Sequence, residues 1–259
     1  MEKIILGIDP GTNVMGFGLI KAEGRQLSVL EIGVIELQKL QDPYTKLQKI
    51  YKTLTSIVEK YAPDESGSFL GGMQGADFFA EICGIASEKT AERIKEKYSR
   101  LKCFDTGIFG TFYACKTLFE LGAADIAISM LGSHGENHSF GFMLDSGATT
   151  LWENWNGEAS NNHPMFGACV STFFENILGI KQSESSCGFE KIIISPAENN
   201  LLSFAKGYIT TVKGKISVEY RKDGNETEFV IDLCGGADGE LVYGGRSYPL
   251  HSGANSIKA

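Results

Sequence analysis

The 259-residue sequence contains no run of about 18 apolar residues. Its opening, Met1-Glu2-Lys3-Ile4-Ile5, lacks the long apolar stretch of a secretory signal. These absences argue against a membrane-crossing helix and an export leader, and a cytoplasmic protein without a membrane partner is expected. Excess positive charge is also missing. The net charge is −8, with 8 Lys+Arg against 9 Asp+Glu through Glu65 and 16 against 23 beyond it. Neither part is a basic domain, so long-range attraction to a polyphosphate is weak. Lys46, Lys49 and Lys52 form a local basic run that reads as the solvated face of a helix. Cysteines at metal-ligand spacing are absent too. Cys83, Cys103, Cys115, Cys169, Cys187 and Cys234 are widely and irregularly spaced, which points to buried thiols rather than disulfides or a zinc site. No internal repeat or low-complexity stretch occurs. What is present, 42% hydrophobic and 22% charged residues, suffices for a sizeable core.

Two differently patterned stretches meet near Glu65. In the first, Ile4 to Asp9 is a short apolar, β-branched run ending in a carboxylate, and Pro10-Gly11-Thr12 is a turn signature. Asp9 is therefore expected at the C-terminal tip of a buried strand. Val14 to Lys21 and Gln26 to Leu37 read as two more strands, giving a three-stranded antiparallel meander. Asp42-Pro43 is a helix start, and Leu47, Ile50, Tyr51, Leu54, Ile57, Val58 and Tyr61 recur at helical spacing. A helix from about Pro43 to Tyr61 would lay that stripe on the sheet. Gly7 to Thr12 lacks the lysine and the helix of a phosphate-binding P-loop. Asp9 by itself also reads as a strand-end residue capping a turn.

Ile5-Leu6-Gly7-Ile8-Asp9-Pro10-Gly11-Thr12, Gly16-Phe17-Gly18 and Gly24-Arg25-Gln26-Leu27 resemble the N-terminus of RuvC-type Holliday-junction resolvases, from Met1 to about Glu65. That resemblance implies an RNase H-like fold and a DNA four-way junction as partner. It also implies Asp9 as the first of four acidic residues that hold divalent metal for phosphodiester hydrolysis, with Mg2+ needed only if this segment works as a nuclease. Where the next carboxylate should follow, after Tyr61-Ala62-Pro63-Asp64-Glu65, the chain runs Ser66-Gly67-Ser68-Phe69-Leu70. One aspartate is a poor magnesium site, because the ion keeps its waters unless several charged oxygens converge.

Beyond the junction the pattern is helical. Ser87 to Tyr98, Thr111 to Leu121, Ala124 to Leu131 and Phe166 to Leu178 are predicted helices, and Gly122 and Gly179 are their stops. Similar lengths and glycine-containing connectors suggest stacked helical hairpins. From Ala205 the period changes to two. Lys215 to Tyr220 and Thr227 to Leu233 become strands around Asp223-Gly224, in a small antiparallel unit. His134 and His138 stand four apart, but Ser133, Gly135 and Asn137 make a loop of that stretch and a shared metal is not expected.

One region concentrates the residue types that bind sugars: Gly147 to Trp155, then Asn161-Asn162-His163-Pro164-Met165-Phe166-Gly167. The two tryptophans of the chain, Trp152 and Trp155, flank Glu153. Aromatic faces stack on the apolar face of a pyranose, and a carboxylate beside them can deprotonate water. Spacing alone favours a second reading, in which the tryptophans are core anchors and Glu153 a surface charge.

Gly71-Gly72-Met73-Gln74-Gly75-Ala76-Asp77, Asp105 to Thr111, Gly147 to Trp155 and Asn162 to Gly167 resemble the C-terminal part of bacterial α-L-rhamnosidases, from about Ser66 to the end of the chain. The resemblance implies an inverting glycoside hydrolase with an (α/α)6 six-hairpin barrel followed by a β-sandwich. It implies Glu153 as general base, Trp152 and Trp155 beside it, His163 as a contact to rhamnose, a rhamnose-containing glycoside as substrate and no cofactor. Inversion needs a second carboxyl that protonates the leaving oxygen. In the family it comes from an earlier part of the barrel, and Asp77, Asp105 and Asp145 do not sit in that motif. The expected organisation is a chimera: a truncated RNase H-like α/β segment (1–65), helical hairpins of a partial (α/α)6 barrel (66–196) and a small antiparallel β-sandwich-like domain (197–259). Incomplete catalytic sets predict weak or absent activity in both chemistries. Helix faces that six hairpins would bury predict homo-oligomers or aggregation.

Overall fold

The structure is a computed structural model that describes residues 2–24, 26–60, 67–69, 75–135, 137–224 and 226–259. The junction at 61–66 and the Gly71–Gln74 part of the second motif lie outside them. Two compact units divide the chain, 1–94 and 95–259.

In the first unit, β1 (Glu2–Asp9), β2 (Val14–Glu23) and β3 (Gln26–Glu36) form the expected antiparallel meander, order β1-β2-β3. Helix α1 (Pro43–Lys60) starts where Asp42 caps it: the Asp42 carboxylate accepts the Thr45 N–H and hydroxyl, each at 2.7 Å. Those bonds hold the carboxyl below its usual range. Ile50 and Leu54 of α1 pack against buried Met15, Ile35 and Leu37 of the sheet side. Two of the lysines read as solvated tie the helix down. Lys46 Nζ donates to the Thr12 carbonyl at 2.8 Å and Lys49 Nζ to the Glu36 carbonyl at 2.9 Å.

The stripe and the first strand depart from expectation. Leu47 and Tyr51 stay exposed, with the Tyr51 hydroxyl donating to the Cys83 carbonyl at 3.0 Å, and β1 is an edge strand with Ile5 and Ile8 exposed rather than a buried strand. The physical reason is that no further strand pairs with β1 among the described residues. Helix α2 (Ala76–Ile82) buries Phe78 and Ala80, and α3 (Glu88–Leu101) begins in this unit, with Thr90 Oγ1 donating to the Gly67 carbonyl at 2.9 Å.

In the second unit, α4 (Gly110–Glu120), α5 (Ala124–Leu131) and α6 (Phe140–Asp145) are short helices, and α4 packs on α5. α4 ends in a double bond pattern, Gly122 N–H to the Phe119 carbonyl and Ala123 N–H to the Leu118 carbonyl, around a left-handed glycine. The expected helix 166–178 is replaced by a 3₁₀ turn (Pro164–Val170) and a π turn (Phe173–Ile177). Ser171 and Thr172 account for the break. Their hydroxyls bond back to the Ala168 and Cys169 carbonyls at 2.9 and 2.6 Å, competing with the regular helical ladder.

The chain then builds a sandwich of two sheets, ordered β10-β9-β5-β4 and β11-β8-β7-β6. Its strands are β4 (Ile180–Gln182), β5 (Lys191–Ile194), β6 (Phe204–Thr211), β7 (Gly214–Asp223), β8 (Glu226–Leu233), β9 (Asp238–Tyr243), β10 (Arg246–Leu250) and β11 (Gly253–Lys258). The sandwich thus takes in β4 and β5, ahead of residue 197, and β5 pairs β9 in parallel in an otherwise antiparallel arrangement. Strict alternation on β7 and β8 sends Ile216, Val218, Tyr220, Phe229, Ile231 and Leu233 inward, to meet Ile192, Ile194, Leu241 and Leu250. Each such side chain contributes about 1.5–3 kcal/mol on full burial. Gly179 joins the turns to β4 where only glycine fits: a Cβ there would lie 2.2 Å from the Pro196 nitrogen, at φ +74°.

Candidate functional site

The region around Glu153 is built from the end of α6 onward. Ser139 caps α6 by accepting the Phe142 N–H at 3.1 Å. Left-handed Gly147 (φ +82°) ends the helix, with Gly147 and Ala148 N–H groups bonded to the Leu144 and Met143 carbonyls. This stop redirects the chain into an irregular segment, 148–163, that folds back on itself. Glu153 N–H donates to the Ser160 carbonyl and His163 N–H to the Leu151 carbonyl, each at 2.8 Å, and Thr150 Oγ1 donates to the Asn161 carbonyl. The Glu153 carboxylate is half-buried and accepts the Ser160 N–H at 3.3 Å. Trp152 packs edge-to-face on Phe142 at 6.5 Å and lies over Gly157, where a Cβ would meet its ring at 3.0 Å.

Trp155 is the anchor beneath this loop. It is 5% exposed, its indole N–H donates to the Thr106 carbonyl at 2.7 Å, and its ring stacks on Phe104 at 5.7 Å. Phe140 and Phe166 close in at 5.4 and 4.1 Å. The core-anchor reading therefore holds for Trp155, whose enclosed ring offers no free face to a sugar, whereas Trp152 and Glu153 remain partly open. His163 precedes the 3₁₀ turn, and its Nδ1 is buried without a hydrogen-bond partner among the described residues. Asn154 Oδ1 shares that condition.

Residues 150–163 thus come together as one loop pair, carrying Trp152, Glu153 and His163, with Trp155 holding it from below. Sequence reasoning missed Ser160, which binds both the backbone and the carboxylate of Glu153, and the Thr106 carbonyl. A main-chain contact leaves no side-chain signature at either position.

The remaining acids are engaged elsewhere. Asp77 is buried, accepts the Phe69 N–H at 2.8 Å and pairs with Arg93 at 3.2 Å. Asp105 is bonded by Lys97 and Tyr98, and Asp145 by His134 at 2.8 Å. His138 binds the Phe104 carbonyl instead of sharing a ligand with His134. Cys115 and Cys169 are both buried thiols, 3.7 Å apart; their mutual hydrogen bond and burial push the Cys115 thiol up.

Asp9 is the last residue of β1, exposed and adjacent to Gly16. Among the described residues no group of three or more His, Cys, Asp or Glu side chains converges to hold a metal. Among the described residues, then, Asp9 is not part of a cluster that would hold a divalent metal. No helix among the described residues is long and apolar enough to cross a membrane.

Comparison with known proteins finds both resemblances. The family described as bacterial alpha-L-rhamnosidase 6 hairpin glycosidase domain matches residues 35–177. An alpha-L-rhamnosidase of Alteromonas sp. (strain LOR) is 36% identical over 147 residues, 52% of this chain and 15% of that protein. The crossover junction endodeoxyribonuclease RuvC of Cytophaga hutchinsonii is 51% identical over 65 residues, 25% of this chain and 32% of that protein. The crystal structure of Streptomyces avermitilis alpha-L-rhamnosidase complexed with L-rhamnose superposes with a TM-score of 0.71 at 18% identity, over 84% of this chain and 24% of that one. That likeness is one of fold. The chain spans about a third of the resolvase it matches and about a seventh of the rhamnosidase. It is chimeric.

Proposed function

The chain belongs to the bacterial alpha-L-rhamnosidase six-hairpin glycosidase family, and from that premise we propose that it carries the base side of an inverting α-L-rhamnoside hydrolase site. Glu153 is the general base, Trp152 is the stacking surface, His163 is a hydrogen-bonding contact to the sugar and Trp155 is the buried support. In this reading the helical stretch is part of an (α/α)6 barrel, and residues 1–65 are an RNase H-like fragment. The substrate is a terminal α-L-rhamnoside, and no cofactor takes part.

What supports the reading is the Glu153 carboxylate, oriented by the Ser160 N–H at 3.3 Å and open to solvent beside the partly exposed Trp152. A carboxylate fixed in that way accepts a proton from water as it attacks the anomeric carbon. No general acid is assigned, because Asp77, Asp105 and Asp145 are held by Arg93, Lys97 and His134. Loss of leaving-group protonation lowers the rate about 10²–10⁴-fold, so hydrolysis of ordinary rhamnosides is weak.

Calorimetric titration with L-rhamnose tests the site. Heat of binding is expected in the parent and is lost in Trp152→Ala and His163→Ala, while Glu153→Gln retains it. A parent that binds no sugar at high millimolar concentration refutes the assignment. Junction cleavage is not favoured, since Asp9 has no converging carboxylates among the described residues.

A further inference from the structure

Two thiols from distant parts of the second unit meet in its interior. Cys115 Sγ donates to Cys169 Sγ at 3.7 Å across a sequence separation of 54, and the two side chains are 0% and 3% exposed. The sulfurs ride on elements of unequal regularity. Cys115 sits midway along α4, a regular helix in which Ala114 and Leu118 are also fully buried. Cys169 lies near the end of the 3₁₀ turn, where the Ser171 and Thr172 hydroxyls draw the Ala168 and Cys169 carbonyls out of a regular ladder. A disulfide needs its sulfurs about 2.05 Å apart, so the pair must close by about 1.7 Å from its present separation. The irregular turn can shift by that amount while α4 keeps its hydrogen bonds.

We propose that Cys115 and Cys169 form a reversible disulfide site, closed by hydrogen peroxide and reopened by thiols. The Cys169 thiolate attacks one peroxide oxygen, the O–O bond breaks, and a sulfenic acid forms as the other oxygen leaves and takes up the thiol proton as water. Cys115 then gives up its proton and attacks the sulfenic sulfur; the S–S bond forms and the hydroxyl departs with that proton as a second water. Two thiols and one peroxide thus become one disulfide and two waters, with each sulfur losing one electron and the peroxide gaining both. Cys169 reacts first because it lies on the irregular turn, whereas burial and the bond between the sulfurs push the Cys115 thiol up and keep it protonated. Peroxide suits the site because a buried pair admits a molecule little larger than water and shuts out a bulky disulfide. The new bond joins α4 to the turn that follows His163 and carries Phe166 against Trp155 at 4.1 Å. It therefore clamps the anchor beneath the Glu153 loop, and it restrains the unfolded chain more than the folded one, so the oxidised form is the more stable. The inference is independent of the sugar chemistry.

Peroxide treatment of the native full chain tests it. N-ethylmaleimide first caps the accessible thiols, Cys83 and Cys187 among them, and hydrogen peroxide is then added. Peptide mapping by tandem mass spectrometry under non-reducing conditions is expected to show Cys115 linked to Cys169 with the loss of two hydrogens. Cys234, packed in the sandwich core, stays a free thiol and serves as the internal control for a buried cysteine. The thermal midpoint rises on oxidation by roughly 5 °C or more, and dithiothreitol reverses both the link and the rise. Cys115→Ala and Cys169→Ala each show no rise on peroxide treatment, a comparison made within each variant and so unaffected by its own starting stability. A parent in which both thiols stay free, a sulfinic acid at either cysteine without the link, or a link that leaves the midpoint unchanged or lowers it overturns the proposal.

Discussion

Truncating Trp155 measures how firmly the loop that carries Glu153 is held. The ring is 5% exposed among Phe104, Phe140 and Phe166, so Trp155→Ala removes nearly a whole buried aromatic and leaves a cavity, a loss of about 3–5 kcal/mol. The hydrogen bond to Thr106 adds less than a lone bond would. Thr111 Oγ1 also donates to that carbonyl, at 3.2 Å, so the acceptor is not orphaned when the indole goes. Trp155→Phe keeps most of the stacking and gives up that N–H, for a loss of about 1–2 kcal/mol. Urea unfolding followed by circular dichroism gives both differences, with an unchanged slope showing that the unfolded state is not altered. Fluorescence of the remaining Trp152 reports whether the loop loosens first. A loss under about 1 kcal/mol for Trp155→Ala, or equal losses for the two variants, would refute the anchor role.

Alkaline pH tests the buried thiol pair. The Cys115 thiol is pushed up in the folded protein, so the fold retains a proton that the unfolded chain releases above about pH 9, and stability falls as pH rises beyond that point. Cys115→Ala is expected to flatten that decline in pH-dependent unfolding, and an unchanged slope would place the effect elsewhere. Asp77→Asn strips Arg93 of its partner in a largely buried pair, for an expected loss of about 1–3 kcal/mol by thermal or urea unfolding. A neutral result would mean that water replaces the carboxylate. With magnesium, the parent is expected to leave a four-way DNA junction intact; cleavage abolished by Asp9→Asn would restore the nuclease reading.

Local structure was most legible where one signal dominates. Alternation marked β7 and β8, and the Asp42-Pro43 start and helical spacing marked α1, because caps and periodicity act within a few residues. The 166–178 segment was misread because hydroxyl-to-carbonyl bonds from Ser171 and Thr172 are decided by geometry that composition hides. β4 and β5 are too short to alternate visibly, and they become strands only through pairing with each other and with β9, more than 40 residues away. The exposure of β1 follows from the lack of a further paired strand among the described residues, which local sequence does not report. In the site, the resemblance to rhamnosidases pointed to Glu153, Trp152 and His163, where side-chain types and spacing alone favoured a structural role. The inward turn of Trp155 and the clasp of Ser160 arise from tertiary packing and main-chain bonds.

The most direct test of the central claim is fluoride release from α-L-rhamnosyl fluoride, whose leaving group departs without protonation and so bypasses the absent general acid. The account predicts turnover of the fluoride well above that of an alkyl rhamnoside, and its loss in Glu153→Gln. Fluoride release no faster than in buffer, or a rate unchanged by Glu153→Gln, would contradict it.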